Sequence, residues 1–355
     1  MRYSFRRKNP QEEVVTMAGM RSARMASGLR DSRRWPRMWA ALAAVAALAA
    51  GCTGGPGSGP SSSGPARLPA SSVSGLAPPG EWSSLPSGTT CKGLIRHSAW
   101  EPRPGNFEPN HVMPNPAAIH AALADRSRAT GGANPRWDSW LLPRVDGQFT
   151  GATDEIFQWA ACKWGLPADM IRAVAYRESQ WYQYATYSSG RCLPDYGCTD
   201  LFSSATPDTK IYCSSLAAYG YNYQKDFGSG ICPKTFSIVS VMSWQNPSWG
   251  QIWPGYQNGT FPFNRESTAF AVDYYGAYLR GCYEGWSYLG TKTSGDIDGC
   301  IGSWYSGAWH DPAGNAYDQR VREAMRTRPW LSPAFATQGP ACNARYGCPV
   351  FAAER

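Results

Sequence analysis

Two helical patterns meet at one glycine between Thr153 and Tyr182, and that junction limits what the chain can fold into. In TDEIFQWAACKW, Phe157, Ala160, Ala161 and Trp164 recur at helical spacing. Thr153 is placed to cap this helix, and Gly165 falls at the position after its end where a left-handed residue is favoured. In LPADMIRAVAYRESQWY, Pro167 suits a first turn and Asp169 puts negative charge near the positive end of the helix dipole. Ile171, Val174, Ala175 and Glu178 then share one face. Two helices joined by so short a turn form a hairpin that buries both stripes together. Glu178 is the anomaly, a carboxylate on an apolar face. There it must find a partner or stay protonated. A protonated carboxyl in a cleft is what acid-catalysed cleavage of a glycosidic bond uses. The blander alternative is a helix-end Glu that turns to solvent or pairs with Arg172 or Arg177.

Charge separates the chain into a leader and the rest. Residues 1–52 carry ten Lys/Arg and three Asp/Glu of the totals of 34 and 26, so 53–355 is nearly neutral at about +1. That balance gives no footprint for nucleic acid. Arg33, Arg34 and Arg37 precede the apolar run Met38–Ala50, which has the form of a secretory signal and is too short to span a bilayer as a mature helix. LAAGC at its end resembles a bacterial lipobox, which implies cleavage before Cys52 and lipidation of its sulfur; an ordinary signal peptide is the alternative. The expected location is therefore an exported lipoprotein facing the periplasm or cell exterior, or a secreted protein.

Ten cysteines follow Cys52, and an even count in an exported chain suggests five disulfides. Cys192–Cys198, Cys213–Cys232 and Cys282–Cys300 are the local pairings expected. Zinc is the competing use, but the C-x-x-C spacing is missing and the chain has only four His, so no metal or other cofactor is expected.

Residues 53–90 read as a Gly/Ser/Pro-rich linker. Residues 91–144 read as an N-terminal extension packing on the domain, with Asn115 capping a helix that begins at Pro116. WLLPRVDG reads as an irregular lead-in. The catalytic domain is expected over 145–331 and a tail over 332–355. Within the domain, 182–233 has four cysteines and no sustained period, so it reads as a disulfide-tied irregular insertion. TFSIVSVMSW is ambiguous between strand and buried helix. Further helices are expected from Ser267 to about Arg280, within Gly295–Ser306, and around Tyr317, Val321 and Ala324 until Pro329. The fold class expected is mainly α, in a single monomeric domain.

AVAYRESQW, with its Glu ending an apolar-faced helix, resembles the first motif of the lysozyme-like lytic transglycosylases of the SLT type, which share a fold with goose-type lysozymes. The TDEIFQWAACKWGLPADMIRAVAYRESQW segment, STAFAVDYYGAYLRGCYEG and GDIDGCIGSWYSGAW look like an exported bacterial subgroup of the same domains. The resemblance covers roughly Val145 to Leu331. It implies a lysozyme-like fold, Glu178 as general acid then base, and peptidoglycan as partner; the expected membrane contact comes from the lipobox, through a lipid anchor on Cys52. The family's second motif, Gly-Leu/Ile-Met-Gln, should fall at Phe236–Val241, where Ser237 and Ser240 stand in place of its Gly and Gln. The third motif should fall at Trp304-Tyr305-Ser306-Gly307, and Tyr305 is the residue expected to hydrogen-bond the acid or substrate. Aromatic faces suit sugars, so Trp304, Trp244, Trp249, Trp253 and Tyr256 are candidate subsite residues, with core packing as the alternative for each. A hydrolytic lysozyme would use an Asp to hold its water; Asp195, Asp200, Asp226, Asp296 and Asp298 are the candidates. Two other readings remain: another polysaccharide glycosidase, and a weakly active wall-binding protein.

Overall fold

The structure is a computed structural model. It describes residues 75–98, 100–124, 134–184, 201–203, 206–224, 230–247, 254–286 and 293–336. All of these belong to one compact unit, Ser62–Arg355. The architecture is mainly helical, with two small antiparallel strand pairs. The labelled helices are α1 (Gly88–Lys92), α2 (Pro116–Leu123), α3 (Thr153–Trp164), α4 (Ala168–Ser179), α5 (Pro207–Ala218), α6 (Thr268–Tyr283), α7 (Ile297–Ser306) and α8 (Pro312–Thr327). Strands β1 (Leu201–Ser203) and β2 (Ile231–Pro233) pair with each other, as do β3 (Thr235–Phe236) and β4 (Val241–Met242).

Helices α3 and α6 are buried along their whole length, so the core surrounds them on every side. Their polar residues survive there by pairing. Arg172 of α4 bonds Asp154, and Lys163 bonds Asp146 and Asp273. Trp164 Nε1 donates to Asp273 at 2.7 Å. Gly165 joins α3 to α4 at φ 62°, and its N–H and that of Leu166 close the helix end. A Cβ at Gly165 would also meet Leu85 and Ala77 at 2.6 and 2.8 Å.

Several expected boundaries differ. Ala152, not Thr153, occupies the N-cap position of α3, with no side-chain cap; the Glu155 carboxylate accepts from the Ala152 N–H, and the Thr153 hydroxyl accepts from the Asn106 and Asn110 amides. WLLPRVDG is irregular only over residues 145–147: Trp137–Leu141 is a π-helical turn leading into the helical Leu142–Arg144. The insertion contains α5, capped by Thr206 with Pro207 in its first turn. The last part of the expected linker is docked. Ala77 N–H donates to Gly165 O, Arg280 donates to the Ala77 and Pro78 carbonyls, and Ser87 caps α1. The docking acceptors are main-chain carbonyls, which composition does not reveal. Phe335, expected in the tail, is buried.

Three disulfides lie among the described residues. Cys213–Cys232 and Cys282–Cys300 match the local expectation, and Cys91–Cys162 joins α1 to α3 across a separation of 71 residues. Cys192, Cys198 and Cys52 lie outside the described residues.

Candidate active site

The face of α4 that carries Ile171, Val174 and Ala175 is fully buried, and Glu178 at its end is 8% exposed. Arg172 is committed to Asp154 and Asp169. The partner shown on Glu178 is Tyr317 of α8, whose hydroxyl donates to Oε1. Tyr305, expected in that role, instead stacks on Tyr317 with ring centres 4.6 Å apart and planes 6° from parallel. Tyr305 is 53% exposed where Tyr317 is buried. Burial and the charge of Glu178 push the Tyr317 phenol well above its ordinary range, so it stays a proton-bearing donor.

The chain beyond Glu178 is held tightly. Gln180 and Trp181 both have left-handed backbones, at φ 52° and 69°. Their carbonyls accept from Arg103 Nε and Asn106 Nδ2, and Trp181 Nε1 donates back to Arg172 O. The Trp181 ring lies against Phe157, Trp330 and Phe335.

The ambiguous TFSIVSVMSW segment is the β3–β4 hairpin. Its turn, residues 237–240, is bonded to the residue that follows Glu178. Ser179 Oγ donates to Ile238 O, Ile238 N–H donates to Gln183 Oε1, and Trp304 Nε1 donates to Val239 O. Ile238 and Val239 are themselves fully buried, so the turn is part of the core. Ser237 and Ser240 adopt φ 84° and 55°, the region that glycine tolerates best. Ser237 therefore occupies a backbone site suited to the Gly that the second motif would place there.

Other expected site residues fall elsewhere. Trp304 is half-buried and braces the hairpin turn. Trp244 is not an exposed platform: it is buried in a second aromatic cluster, edge-on to Tyr212 and Tyr256. Asp296 caps α7 and bonds His310, and Asp298 pairs with Arg322. Trp249, Trp253, Asp195, Asp200 and Asp226 lie outside the described residues.

Sequence reasoning missed the role of Tyr317, which it placed only on the apolar stripe of α8. It also missed Arg103, Gln183 and Asp318. Burial and the charge of Asp296 push the Asp318 carboxyl up to about 6, although Arg322 Nε donates to it. A helical stripe marks a residue as inward-facing and says nothing of what it meets there. Among the described residues, no three His, Cys, Asp or Glu gather to hold a metal ion.

Compared with family models, curated proteins and solved structures, the chain has no match.

Proposed function

We propose that this protein cleaves peptidoglycan as a lytic transglycosylase, with Glu178 as its acid and base. The observation that carries the reading is a buried carboxyl at the end of α4 that accepts from the hydroxyl of Tyr317, next to Ser179, which is bonded to the β3–β4 turn. The resemblance of AVAYRESQW and the segments after it to SLT-type domains supports the same reading. Protonated Glu178 donates to the oxygen between N-acetylmuramic acid and N-acetylglucosamine as an oxocarbenium-like centre develops at C1. The ionised carboxylate then takes the proton of the C6 hydroxyl, whose oxygen closes a 1,6-anhydro ring. Tyr317 orients the carboxyl throughout. In this reading the leader directs export, and Cys52 carries the lipid that tethers the enzyme to a membrane.

A second reading is hydrolysis, with water attacking C1. Asp318, one residue from Tyr317 and with a carboxyl at about 6, is the group that favours it. The departures at Ser237 and Ser240 favour a third, a wall-binding protein with weak chemistry. Digestion of purified peptidoglycan by the full chain, wild type beside Glu178→Gln, tests all three by mass spectrometry of the soluble products. Anhydro ends that vanish in the variant support the transglycosylase. Reducing ends in their place support the hydrolase. A folded, oxidised wild type that releases nothing rules out both.

A further inference from the structure

Tyr275 carries a buried hydroxyl that the proton chemistry does not use. It lies on α6 and is fully buried, and its phenol oxygen has no hydrogen-bond partner among the described residues. Two other buried phenols are satisfied. Tyr278, one turn along α6, shares a hydrogen bond with Ser303 Oγ, and Tyr317 donates to Glu178. A buried hydroxyl left unbonded costs stability, so such a group is best explained by a state of the protein in which it bonds.

The surroundings of Tyr275 favour one acceptor. Its ring stands edge-on to Trp304 at 4.8 Å, and Trp304 Nε1 donates to Val239 O in the β3–β4 turn. Ser179 bonds the adjoining Ile238 O, so the same turn ties the ring that packs on Tyr275 to the residue after Glu178. Burial first, and then the charge of Glu178, push the Tyr275 phenol well above its ordinary range, so it keeps its proton. Tyr278 on its own helix and Asp318 on α8 act in the same direction and less strongly. Tyr317 in turn is acted on by Glu178 and then by Tyr275, with Arg177 opposing. Glu178, Tyr317 and Tyr275 thus form one electrostatic cluster in the core.

We infer that Tyr275 is a positioning residue that donates a second hydrogen bond to Glu178 once that carboxyl has given up its proton. This rests on the proposed role of Glu178 as acid and base. An ionised carboxylate has about four acceptor sites, so the bond from Tyr317 does not exhaust it. A bond to the charged form is also stronger than one to the neutral acid. The Tyr275 hydroxyl therefore contributes most after proton transfer, while the carboxylate faces the oxocarbenium-like centre, and least at rest. An interaction made only then raises turnover and leaves substrate binding alone. Because Tyr275 is fully buried, it acts through Glu178 and does not touch the sugar.

The test is a carbon-13 NMR titration of the full chain labelled at its glutamate carboxyls, with the Glu178 resonance assigned by its loss in Glu178→Gln. Tyr275→Phe should raise the Glu178 midpoint by about one pH unit, because losing a donor disfavours the charged form. On soluble peptidoglycan fragments kcat should fall about tenfold with KM unchanged, and the alkaline limb of the pH profile should move up with the NMR midpoint. The melting temperature should hold or rise, since no resting hydrogen bond is lost. Tyr278→Phe is the control: it loses the bond to Ser303, so its melting temperature falls while the Glu178 midpoint stays. The inference is overturned if the midpoint in Tyr275→Phe stays or falls, if Tyr278→Phe moves it as far, or if Tyr275→Phe melts as early as Tyr278→Phe. A raised midpoint in a chain whose wild type releases no product keeps the second donor and removes the catalytic reading. Digestion by a wild type whose midpoint Tyr275→Phe does not move does the reverse.

Discussion

The hydroxyl of Ser179 donates to the carbonyl of Ile238 at 2.8 Å, tying the residue after the acid to the turn of the β3–β4 hairpin. Both residues are buried. Ser179→Ala leaves that carbonyl short of a partner in the core. It should cost about 1–2 kcal/mol in urea unfolding. Turnover should also fall, since the acid and the turn lose their register. An unchanged midpoint would show that the bond contributes nothing.

Ser237 offers the opposite case. Its φ of 84° strains any residue with a Cβ. Ser237→Gly should raise stability by roughly 0.5–1 kcal/mol, the relief of a left-handed non-glycine less the flexibility that glycine adds to the unfolded chain. A shift in the urea midpoint with unchanged slope checks it.

Tyr317 and Tyr305 should separate by function. Tyr317→Phe removes the hydrogen bond on Glu178 Oε1 and keeps the packing. Turnover should drop roughly ten- to a hundredfold. Tyr305→Phe keeps a stacked ring and loses only an outer hydroxyl, so turnover should change little. Equal losses would return the orienting role to Tyr305.

Asp318 sets a pH dependence of stability. Its carboxyl titrates at about 6 in the fold against an ordinary 3.8. Between those values the folded state binds more protons than the unfolded chain, so stability falls as pH rises through that window. Above about 6 the carboxyl is ionised in both states and the penalty is complete. Asp318→Asn should flatten the decline in melting temperature between about pH 4 and 6. A decline of the same slope in the variant would assign it to other groups.

The disulfides should rank by the loops they close. Cys91–Cys162 spans 71 residues and Cys213–Cys232 spans 19. On the chain-entropy account, removing the first pair by double alanine substitution costs about 4 kcal/mol and the second about 3. Chemical denaturation of the oxidised variants gives the order.

Local chemistry was legible along the chain wherever a residue acts on its own neighbours. Gly165 ends α3, Asn115 caps α2 and Ser267 caps α6 because each bond closes within a few residues. Glu178 stood out for the same reason, as a charge on a face whose period is local. The burial of α3 on all sides was less visible: its charged residues find partners on α4, α6 and the segment before it, and such pairs carry no spacing signal.

The sequence by itself determined the helical hairpin, the acid at its end and the mainly helical class. Hydrophobic period, caps and glycine act over a few residues and need no tertiary partner. Only the tertiary structure decided that Tyr317 rather than Tyr305 holds Glu178 and that TFSIVSVMSW is a hairpin whose turn is buried. The Tyr317–Glu178 bond joins residues 139 positions apart, and the hairpin turn is held by Ser179 and Trp304, 59 and 65 positions from the residues they bond; it is packing that brings such groups together.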